Sequence, residues 1–589
     1  MDRIAHRRLV HLTTFVALVL LLAAHVRAYW FLTDDAFISF RYARNWAEGY
    51  GLVFNPGSER VEGYTNFLWV ALLAAFARAG VPAEHVAPFA GAVATAVLWL
   101  ATTWFGRQVL LPPERRGWWW VAPLALAANR SFAVWATSGL ETRFHELLLL
   151  GGIAGLWMET NRVLAGGARR MSRAGIVLAL AVLSRPDALV IAGGAAVASE
   201  WRLRRARPWF PTGTLRAWLP FLVIVGLHMT WRLAYYGHPL PNTYYAKLGG
   251  VLRADWGLLY LGWFAVEYAL VVFVPLWIAG IRAWRQRAPG LGSLLLVAFV
   301  PYLVAVVCAG GDHFEFRMLD LLWVPLALLL QSGVASVSEL AGPVRRAAAA
   351  GLVIAIAALL PTLSHVDFPG EYLKGFPGDN GRPSGNHDLV RAELIPAPVR
   401  PAFRPWLAAY NSLARRLTKR FVGLRQEEHA AFERRITDFA LDLRDLIDAG
   451  HFPRDTRIAL HCVGVIPYTT RLWTLDRLGL CDANVAHGPW APGTRGLAHG
   501  KQADPAYIAS RGVDVEPVFP YGFFASDLMT RKASQYPECT GADRCWVADL
   551  GNDLNLVVRF PAGEKQGRAK LSTFDFQPIE SWVAEQGGN

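Results

Sequence analysis

The sequence predicts a mainly α-helical protein that crosses a membrane many times and carries a smaller α/β domain at its C-terminal end. Of its 589 residues, 53% are hydrophobic, 24 are Trp and only 18% are charged, which is too apolar for a soluble fold of this size. Apolar runs recur along the first 365 residues, and a stretch rich in Pro, Gly and Asp follows from about 366. We therefore predict a membrane domain at 1–365 and an extracytoplasmic domain at 366–589.

Helices of about 18 to 25 apolar residues can span a bilayer. Such runs lie near 12–31, 86–106, 117–136, 144–158, 217–234, 258–281, 289–309, 319–340 and 347–363. The first run has no clean cleavage site after it and ends in Tyr29, Trp30 and Phe31, so we interpret it as a retained helix with an interfacial aromatic belt. With broken segments included, we expect about 9 to 12 membrane segments.

Basic residues predict the orientation of these helices. The formal net charge is +13, and the Arg residues cluster in short loops between apolar runs, a pattern that orients membrane helices rather than one that binds nucleic acid. Arg3, Arg7 and Arg8 place the N-terminus in the cytoplasm, so Asp34 and Asp35 emerge on the opposite side.

Two segments are irregular under this topology. The run that begins at Asn66 is short for a span, so we expect it to be re-entrant or interfacial. The segment 174–198 lies between two basic loops and must enter and return, and Pro186 breaks it near its centre. Arg185 and Asp187 would then lie at membrane depth, where charges are tolerated only in protein or in a wet cavity.

Four polar motifs fall on the outer side. They are TDDAF (Asp34, Asp35), TSGLETRFHE (Glu141, Arg143, His145, Glu146), YYGHPLPNTYYAKLG (His238, Asn242, Tyr244, Tyr245, Lys247) and AGGDHFEFRMLD (Asp312, His313, Glu315, Arg317). Any one of them could be an interfacial cluster with extended side chains, and one of the paired acids could cap a helix. Four motifs on one face are more than the orientation of the helices in the membrane requires. They therefore predict a functional site on this face.

A lipid-linked phosphate substrate matches this chemistry. Lys and Arg bind phosphate, aromatic and amide groups bind sugar, and a carboxylate accepts a proton from an attacking hydroxyl. We assign the base to Asp34 or Asp35, donor and phosphate binding to Arg185, Lys247, Arg317, Tyr244, Tyr245 and Asn242, and other substrate contacts to Glu141, His238, Asp312 and His313. We predict no cofactor and no metal site, with a divalent metal left open.

The same motifs carry a family resemblance. DDAFISFRYARNWAEGYGLVFNPGSERVEGYTNFLW, SGLET, LSRPDALV, PLPNTYYAK and GGDHFEFRML resemble the GT-C superfamily and, within it, the mycobacterial terminal arabinofuranosyltransferases. GLAHGKQADPAYIASRGVDV extends the resemblance into the C-terminal half, whereas GGDHFEFR departs from the family's version.

The resemblance implies transfer of arabinofuranose from decaprenyl-phosphate arabinofuranose to a cell-envelope glycan, at the periplasmic face of a bacterial inner membrane. It implies Asp34 or Asp35 at the catalytic centre, with Glu141, Lys247, Asp312 and Arg317 around the donor. Another polyprenyl-phosphate sugar, such as mannose, glucose or aminoarabinose, is the alternative. A transporter would usually show two similar halves, and the sequence has no internal repeat.

We predict that the C-terminal region forms a small α/β domain. It is expected to bind the acceptor or cover the active site, and a purely structural role is the alternative. QEEHAAFERRITDFALDLRDLIDAG has helical spacing, while RIALHCVGVIPYTT and NLVVRF are typical of strands. Four of the five Cys lie here, an even number that fits an oxidising compartment. We predict disulfides between Cys539 and Cys545 and between Cys462 and Cys481.

Overall fold

The computed structural model describes most of the chain. The described residues are 3–206, 211–249, 251–338, 400–418, 422–490, 500–517, 545–550 and 555–586, with short pieces at 342–343, 397–398, 420, 497 and 524–525. The predicted span at 347–363, the segment that follows it and the predicted domain boundary at 365 lie outside the described residues.

The N-terminal part of the described chain is a helical bundle. Its helices are α1 Arg3–Ala28, α2 Asp34–Ala47, α3 Phe67–Arg78, α4 Ala83–Phe105, α5 Val121–Ala127, α6 Arg130–Val134, α7 Thr142–Leu164, α8 Arg173–Ser184, α9 Ala188–Ala206, α10 Pro211–Tyr236, α11 Asn242–Lys247, α12 Ala254–Glu267, α13 Leu270–Arg287, α14 Leu291–Ala309 and α15 Trp323–Val337. A π-helical turn at Gly106–Leu110 and 3₁₀ turns at Pro113–Trp118 and Asp320–Leu322 complete the bundle.

Among the described residues, five helices are long and apolar enough to cross a membrane. They are Ala5–Ala28, Ala83–Leu110, Thr212–Tyr236, Leu291–Ala309 and Asp320–Val337, and the bent pair α12 and α13 makes a sixth candidate. The chain is therefore a mainly helical, multi-pass membrane protein, as predicted.

Two predicted spans are divided, and a third, 144–158, lies within α7 and is not among the candidate spans of the described residues. The run 117–136 is divided into α5 and α6, because the Asn129 side chain accepts a hydrogen bond from the Phe132 amide (2.9 Å) and begins a new helix. The run 258–281 bends by 83° between α12 and α13, at Ala269, whose φ of +47° lies in the left-handed region. Neither run is a straight span.

The short helix and the helix break expected in the two irregular segments are present, while their positions in the membrane stay predictions. Helix α3 has 12 residues, about 18 Å at 1.5 Å per residue, so it cannot cross the hydrocarbon core alone. Helix α8 ends at Ser184 and α9 begins at Ala188, so the break falls on Arg185, Pro186 and Asp187. Both α8 and α9 pack on α7.

The C-terminal part is α/β, as predicted. Its elements are α16 Arg400–Thr418, α17 Gln426–Asp448, β1 Arg457–Leu460, α18 Val465–Thr470, β2 Trp473–Asp476, α19 Ala483–His487, α20 Pro505–Ser510, β3 Glu516–Pro517, β4 Phe524–Ala525, β5 Trp546–Asp549, β6 Asn555–Arg559, α21 Glu564–Lys570, β7 Gln577–Pro578 and α22 Ile579–Gln586. The predicted strand RIALHCVGVIPYTT is a strand only as far as Leu460, and its end forms α18.

The strands form two small sheets. Strands β1 and β2 are parallel and joined through α18, which makes a compact β–α–β unit. The second sheet is antiparallel in the order β3-β6-β5-β7, with β4 also paired to β6. The first unit contacts α2 through α18, and α17 also contacts α2, so both bear directly on the site.

Buried charges hold the C-terminal part against the bundle. Arg130 at the start of α6 binds Glu315 (Nε to Oε1, 2.7 Å) and Glu427 of α17 (Nη2 to Oε2, 2.7 Å). Arg425 binds Glu267 of α12 at 2.8 Å. Burial would raise the pKa of Glu315, but Arg130 and Arg425 hold it at about 2, so this carboxylate remains ionised.

Candidate active site

Asp34 and Asp35 begin α2, and their side chains have different surroundings. The Asp34 side chain is buried, and its Oδ1 accepts a hydrogen bond from the Val465 amide at the start of α18 (2.8 Å). Gly464 lies so close to Asp34 that a Cβ there would be 1.9 Å from the Asp34 carbonyl oxygen. The N-terminal end of α18 therefore rests directly on Asp34, where its amides and dipole favour a carboxylate.

Burial raises the pKa of Asp34 to about 7, with a further increase from the neighbouring charge of Asp35 and a partial reduction from the Val465 and Gly464 amides. Because a carboxyl group with this pKa changes its charge near neutral pH, Asp34 is sensitive to small changes in its surroundings.

Asp35 faces a different partner. Its side chain is 33% exposed and forms an ion pair with Lys247 of α11, at 3.6 Å between Oδ2 and Nζ. Asp35 is thus the accessible acid of the pair, and the structure brings together two of the residues that the sequence singled out.

A chain of polar contacts begins one helical turn after Asp35. Ser39 donates to Asn66 Oδ1 (3.1 Å), and Asn66 Nδ2 donates to Glu141 Oε2 (2.7 Å). Glu141 Oε1 accepts from Arg185 (3.3 Å), which also binds Asp187 at 2.7 Å. The chain therefore joins α2 to the α8–α9 break, and it includes the predicted residues Glu141 and Arg185.

Ser39 and Asn66 were missed as site residues because a serine in a helix and an asparagine before one fit ordinary helix patterns. Their role depends on Glu141, which is distant in the sequence. No local signal identifies such a contact.

The loop after α14 supplies a second cation. Arg317 Nε contacts Asp312 Oδ2 at 3.4 Å, and its guanidinium lies over the Phe314 ring, 4.6 Å from the centroid. Within the described part of the chain, the two terminal nitrogens of Arg317 make no hydrogen bond. The ring of His313 packs against Phe314 and His429.

The residues around α11 have partners within the protein. Asn242 is buried, and its Nδ2 donates to the carbonyl oxygens of Gly479 (2.8 Å) and Leu480 (3.0 Å), so it joins α11 to the C-terminal part, and its predicted contact with the donor stays a prediction. Tyr245 packs with His238 and His487, at 5.9 and 4.3 Å between ring centroids. Tyr244 remains exposed.

Three other polar residues of the predicted motifs are structural. Arg143 is fully buried and binds Glu146 and Asp320, the latter at 2.6 Å. His145 Nδ1 contacts Ser184 Oγ at 2.8 Å. These contacts join α7 to neighbouring segments of the bundle.

The predicted Cys462–Cys481 disulfide is wrong, because both residues are free thiols. Cys481 lies beside Gly63, where an added Cβ would be 2.5 Å from its sulfur, and burial raises the pKa of both thiols. Cys545 is disulfide-bonded, whereas Cys539 lies outside the described residues, so that pairing stays a prediction.

Across the described residues, no three His, Cys, Asp or Glu side chains are grouped as metal ligands. The predicted independence from cofactors is not tested by this observation.

The fold is that of the GT-C glycosyltransferases. The chain is similar in structure to ArnT from Cupriavidus metallidurans bound to undecaprenyl phosphate, with a TM-score of 0.54 at 13% identity over 94% of this chain and 99% of that one. The apo form of the same enzyme gives a TM-score of 0.51 at 14% identity, over 95% of this chain and 100% of that one.

In sequence, the chain is similar to terminal beta-(1->2)-arabinofuranosyltransferases. It is 29% identical to the enzyme of Mycobacterium tuberculosis, over 48% of this chain and 47% of that relative. It is 30% identical to the enzyme of Corynebacterium glutamicum, over 56% of this chain and 52% of that relative. The matches span about half the length of these relatives. Residues 432–554 also match a domain of unknown function, DUF8728.

Proposed function

We propose that this protein is a membrane glycosyltransferase that transfers arabinofuranose from a polyprenyl-phosphate donor to a cell-envelope glycan. The observation that carries the proposal is the pair Asp35 and Lys247, an accessible acid and a cation in contact at 3.6 Å, within a GT-C fold. Similarity to arabinofuranosyltransferases supports the sugar, and similarity to ArnT with bound undecaprenyl phosphate supports the lipid carrier.

Asp35 is the base in this proposal. The acceptor hydroxyl gives its proton to the Asp35 carboxylate while its oxygen bonds to the anomeric carbon of the donor. The bond between that carbon and the phosphate oxygen breaks, and its electron pair leaves with the polyprenyl phosphate. The accessible Asp35 can meet a hydroxyl, whereas the buried Asp34 holds the start of α18.

Lys247 couples donor binding to this base. A donor phosphate is a stronger partner for the Lys247 ammonium than a half-exposed carboxylate, because it adds charge-assisted hydrogen bonds. Phosphate binding would draw Lys247 from Asp35 and free the carboxylate to accept a proton. Arg317 is a second phosphate ligand in this scheme, because its terminal nitrogens make no hydrogen bond to the part of the chain that is described.

The protein reconstituted in lipid nanodiscs tests this function. Labelled polyprenyl-phosphate arabinofuranose, mannose, glucose and aminoarabinose would be offered separately with an arabinan acceptor. We expect transfer from the arabinofuranose donor alone. Consumption of another donor would assign a different sugar, and no consumption of any donor would reject the glycosyltransferase proposal.

The active site faces the periplasm in this proposal, together with the C-terminal domain. The positions of the basic loops support that orientation, and the packing of α18 on Asp34 supports a common side for the acids and the C-terminal part.

A further inference from the structure

Two buried cations lie against the same tryptophan ring. The guanidinium of Arg253, in the loop before α12, is 4.7 Å from the centroid of Trp490, and the Lys501 ammonium is 5.2 Å from it. Arg253 is only 9% exposed and Lys501 only 6%. We call Arg253, Lys501, Trp490 and the neighbouring His487 the Trp490 cluster.

Neither cation has a counter-ion in the described part of the chain. There the Arg253 guanidinium makes no hydrogen bond and no ion pair, and its Nη1 is buried without a partner. Lys501 Nζ donates to the Gly488 carbonyl oxygen and pairs with no carboxylate among the described residues. The acid nearest to Arg253 in the sequence, Asp255, pairs with Arg420 at 3.6 Å.

The sequence around the cluster is basic as well. Residues 483–503 include no Asp and no Glu. Their basic members are His487, Arg495, His499 and Lys501. Burial lowers the pKa of Arg253 and of Lys501, as expected for cations without a carboxylate partner. Burial also lowers the pKa of His487, and the charges of His238 and Lys501 lower it further.

The contacts with Trp490 do not compensate the two charges. A cation–π contact is worth less than the cost of removing an ion from water, and two like charges close to one ring repel each other. An anion bound between Arg253 and Lys501 would remove both costs and would accept charge-assisted hydrogen bonds. The cluster therefore favours a negatively charged ligand.

The loop that carries Arg253 lies at the ends of apolar helices. The Arg253 amide donates to the Cys308 carbonyl oxygen in the last turn of α14 (2.9 Å), and α14 is one of the candidate spans. Val251 and Leu252, just before Arg253, are exposed, Leu252 by 76%. Exposed apolar side chains at the end of a span suit the boundary of a bilayer, which is where lipid phosphates lie.

The cluster is separate from the lysine that contacts the proposed base. Tyr245 of α11 packs on His487, at 4.3 Å between ring centroids, whereas Lys247 contacts Asp35. Residues two apart in a helix point about 200° apart. The Trp490 cluster and the phosphate ligand proposed above thus lie on opposite sides of α11.

We propose that the Trp490 cluster is a second anion site, which binds the phosphate of a membrane lipid through Arg253 and Lys501. Polyprenyl phosphate and anionic phospholipids share this chemistry. The proposal does not require that the protein transfer a sugar. In a transferase, the site would hold polyprenyl phosphate beside the centre at which it is used.

Native mass spectrometry of the detergent-solubilised protein, titrated with undecaprenyl phosphate, tests the site. We expect Arg253→Met and Lys501→Met each to weaken one lipid-binding event about tenfold, equivalent to about 1.4 kcal/mol. Arg285→Ala removes an exposed Arg in the last turn of α13 and should weaken none. Equal binding in all of these proteins overturns the proposal.

Thermal unfolding separates binding from folding. Because the two cations have no described counter-ion, their replacement by Met should leave the apparent Tm of the lipid-free protein unchanged or higher. Added undecaprenyl phosphate should raise the Tm of the unsubstituted protein more than that of the Met variants. A lower lipid-free Tm with an unchanged lipid-induced increase would assign the cations a structural role and overturn the proposal.

Competition identifies the source of the phosphate. If dioleoylphosphatidylglycerol displaces undecaprenyl phosphate from the cluster at equal concentration, the ligand is a membrane phospholipid. If neither it nor inorganic phosphate competes, the site is specific for the polyprenyl carrier, and competition by inorganic phosphate shows that the headgroup alone suffices.

Sugar transfer by the same variants keeps this proposal distinct from the proposed function. Lipid binding that depends on Arg253, in a protein that transfers no sugar, would support the cluster and reject the transferase. Transfer with equal lipid binding in all variants would reject the cluster and leave the transferase standing.

Discussion

Asp34 and Asp35 differ in exposure because successive residues of a helix point about 100° apart. Asp34 shares a face with Phe37 and Arg41 and meets α18, whereas Asp35 turns toward Lys247. The same residue type therefore has two environments, and in the proposed mechanism the buried Asp34 is a support and the accessible Asp35 is the base.

Replacing Asp35 by Asn should reduce turnover by about 10² to 10⁴, since the amide keeps the size of the side chain but cannot accept the proton. Donor affinity should be retained, because Lys247 remains available for the phosphate. The measurement is kcat together with the donor dissociation constant. Asp34→Asn is the matched control and should have a smaller effect on turnover, and near-normal turnover of Asp35→Asn would contradict the assignment.

Asp34 should make stability depend on pH. The ordinary pKa of Asp34 is 3.8, and its pKa in the folded protein is about 7. At pH values between these two, the folded protein keeps a proton on Asp34 that the unfolded chain loses. The free energy of unfolding therefore falls as pH rises across this interval. The contribution of Asp34 to the free energy of unfolding is most favourable below pH 3.8. The full cost of ionising its buried carboxyl group is present above about pH 7.

Asp34→Asn removes this dependence. The difference in apparent Tm, variant minus unsubstituted protein, should increase from pH 5 to pH 8. Intrinsic fluorescence during thermal unfolding measures it. Asp448→Asn alters an exposed ion pair and should show a constant difference. A constant difference for Asp34→Asn as well would mean that its carboxyl group titrates normally.

At the scale of elements, α2 is the connection between the bundle and the β–α–β unit. Arg41 is buried and donates to the carbonyl oxygens of Phe54 (2.7 Å), Leu472 (2.9 Å) and Pro467 and to Asn55 Oδ1 (2.9 Å). One side chain thus contacts the loop after α2, the interior of α18 and the residue just before β2. The position of α18 on Asp34 depends on this contact.

Arg41→Ala should lower the free energy of unfolding by about 3 kcal/mol or more, because it leaves several buried acceptors without a donor. The expected readouts are a lower apparent Tm and faster proteolysis between the bundle and the C-terminal part. Arg454→Ala, at an exposed ion pair, should change the free energy of unfolding by at most about 1 kcal/mol. Equal protease resistance of the two variants would show that α18 is held in place by other contacts.

At the scale of the whole molecule, the contacts of the C-terminal part with α2, α6, α11 and α12 place it on the same side as the paired acids. We predict that the Arg-rich end of α9 lies on the opposite, cytoplasmic side. This topology decides whether the acids meet substrates outside the cell.

Cysteine labelling tests the topology. Tyr50 and Trp201 are equally exposed, at 57%, and lie at predicted opposite sides. In intact spheroplasts, a membrane-impermeant maleimide should label Tyr50→Cys, and it should label Trp201→Cys only after permeabilisation. The unsubstituted protein measures the background from its free thiols, and the reverse pattern would invert the orientation and remove the periplasmic site.

The sequence by itself determined the class of the molecule and its coarse plan. Long apolar runs and Arg-rich loops are local features, and the bilayer imposes a fixed length on a span, so most spans and the break at Pro186 could be predicted. The charged helix α17 follows from spacing, and the paired acids were visible because carboxylates at a membrane edge are uncommon.

Only the tertiary structure decided which of these residues are buried, bonded or accessible. Asp34 is buried because α18, more than 400 residues away in sequence, rests on it, and Asn242 is occupied by carbonyl oxygens of the loop after β2. Cys462 and Cys481 remain unpaired although their number fitted a disulfide. Burial, pKa and hydrogen-bond partners depend on groups that folding brings together from distant parts of the chain, and no local pattern of residues specifies them.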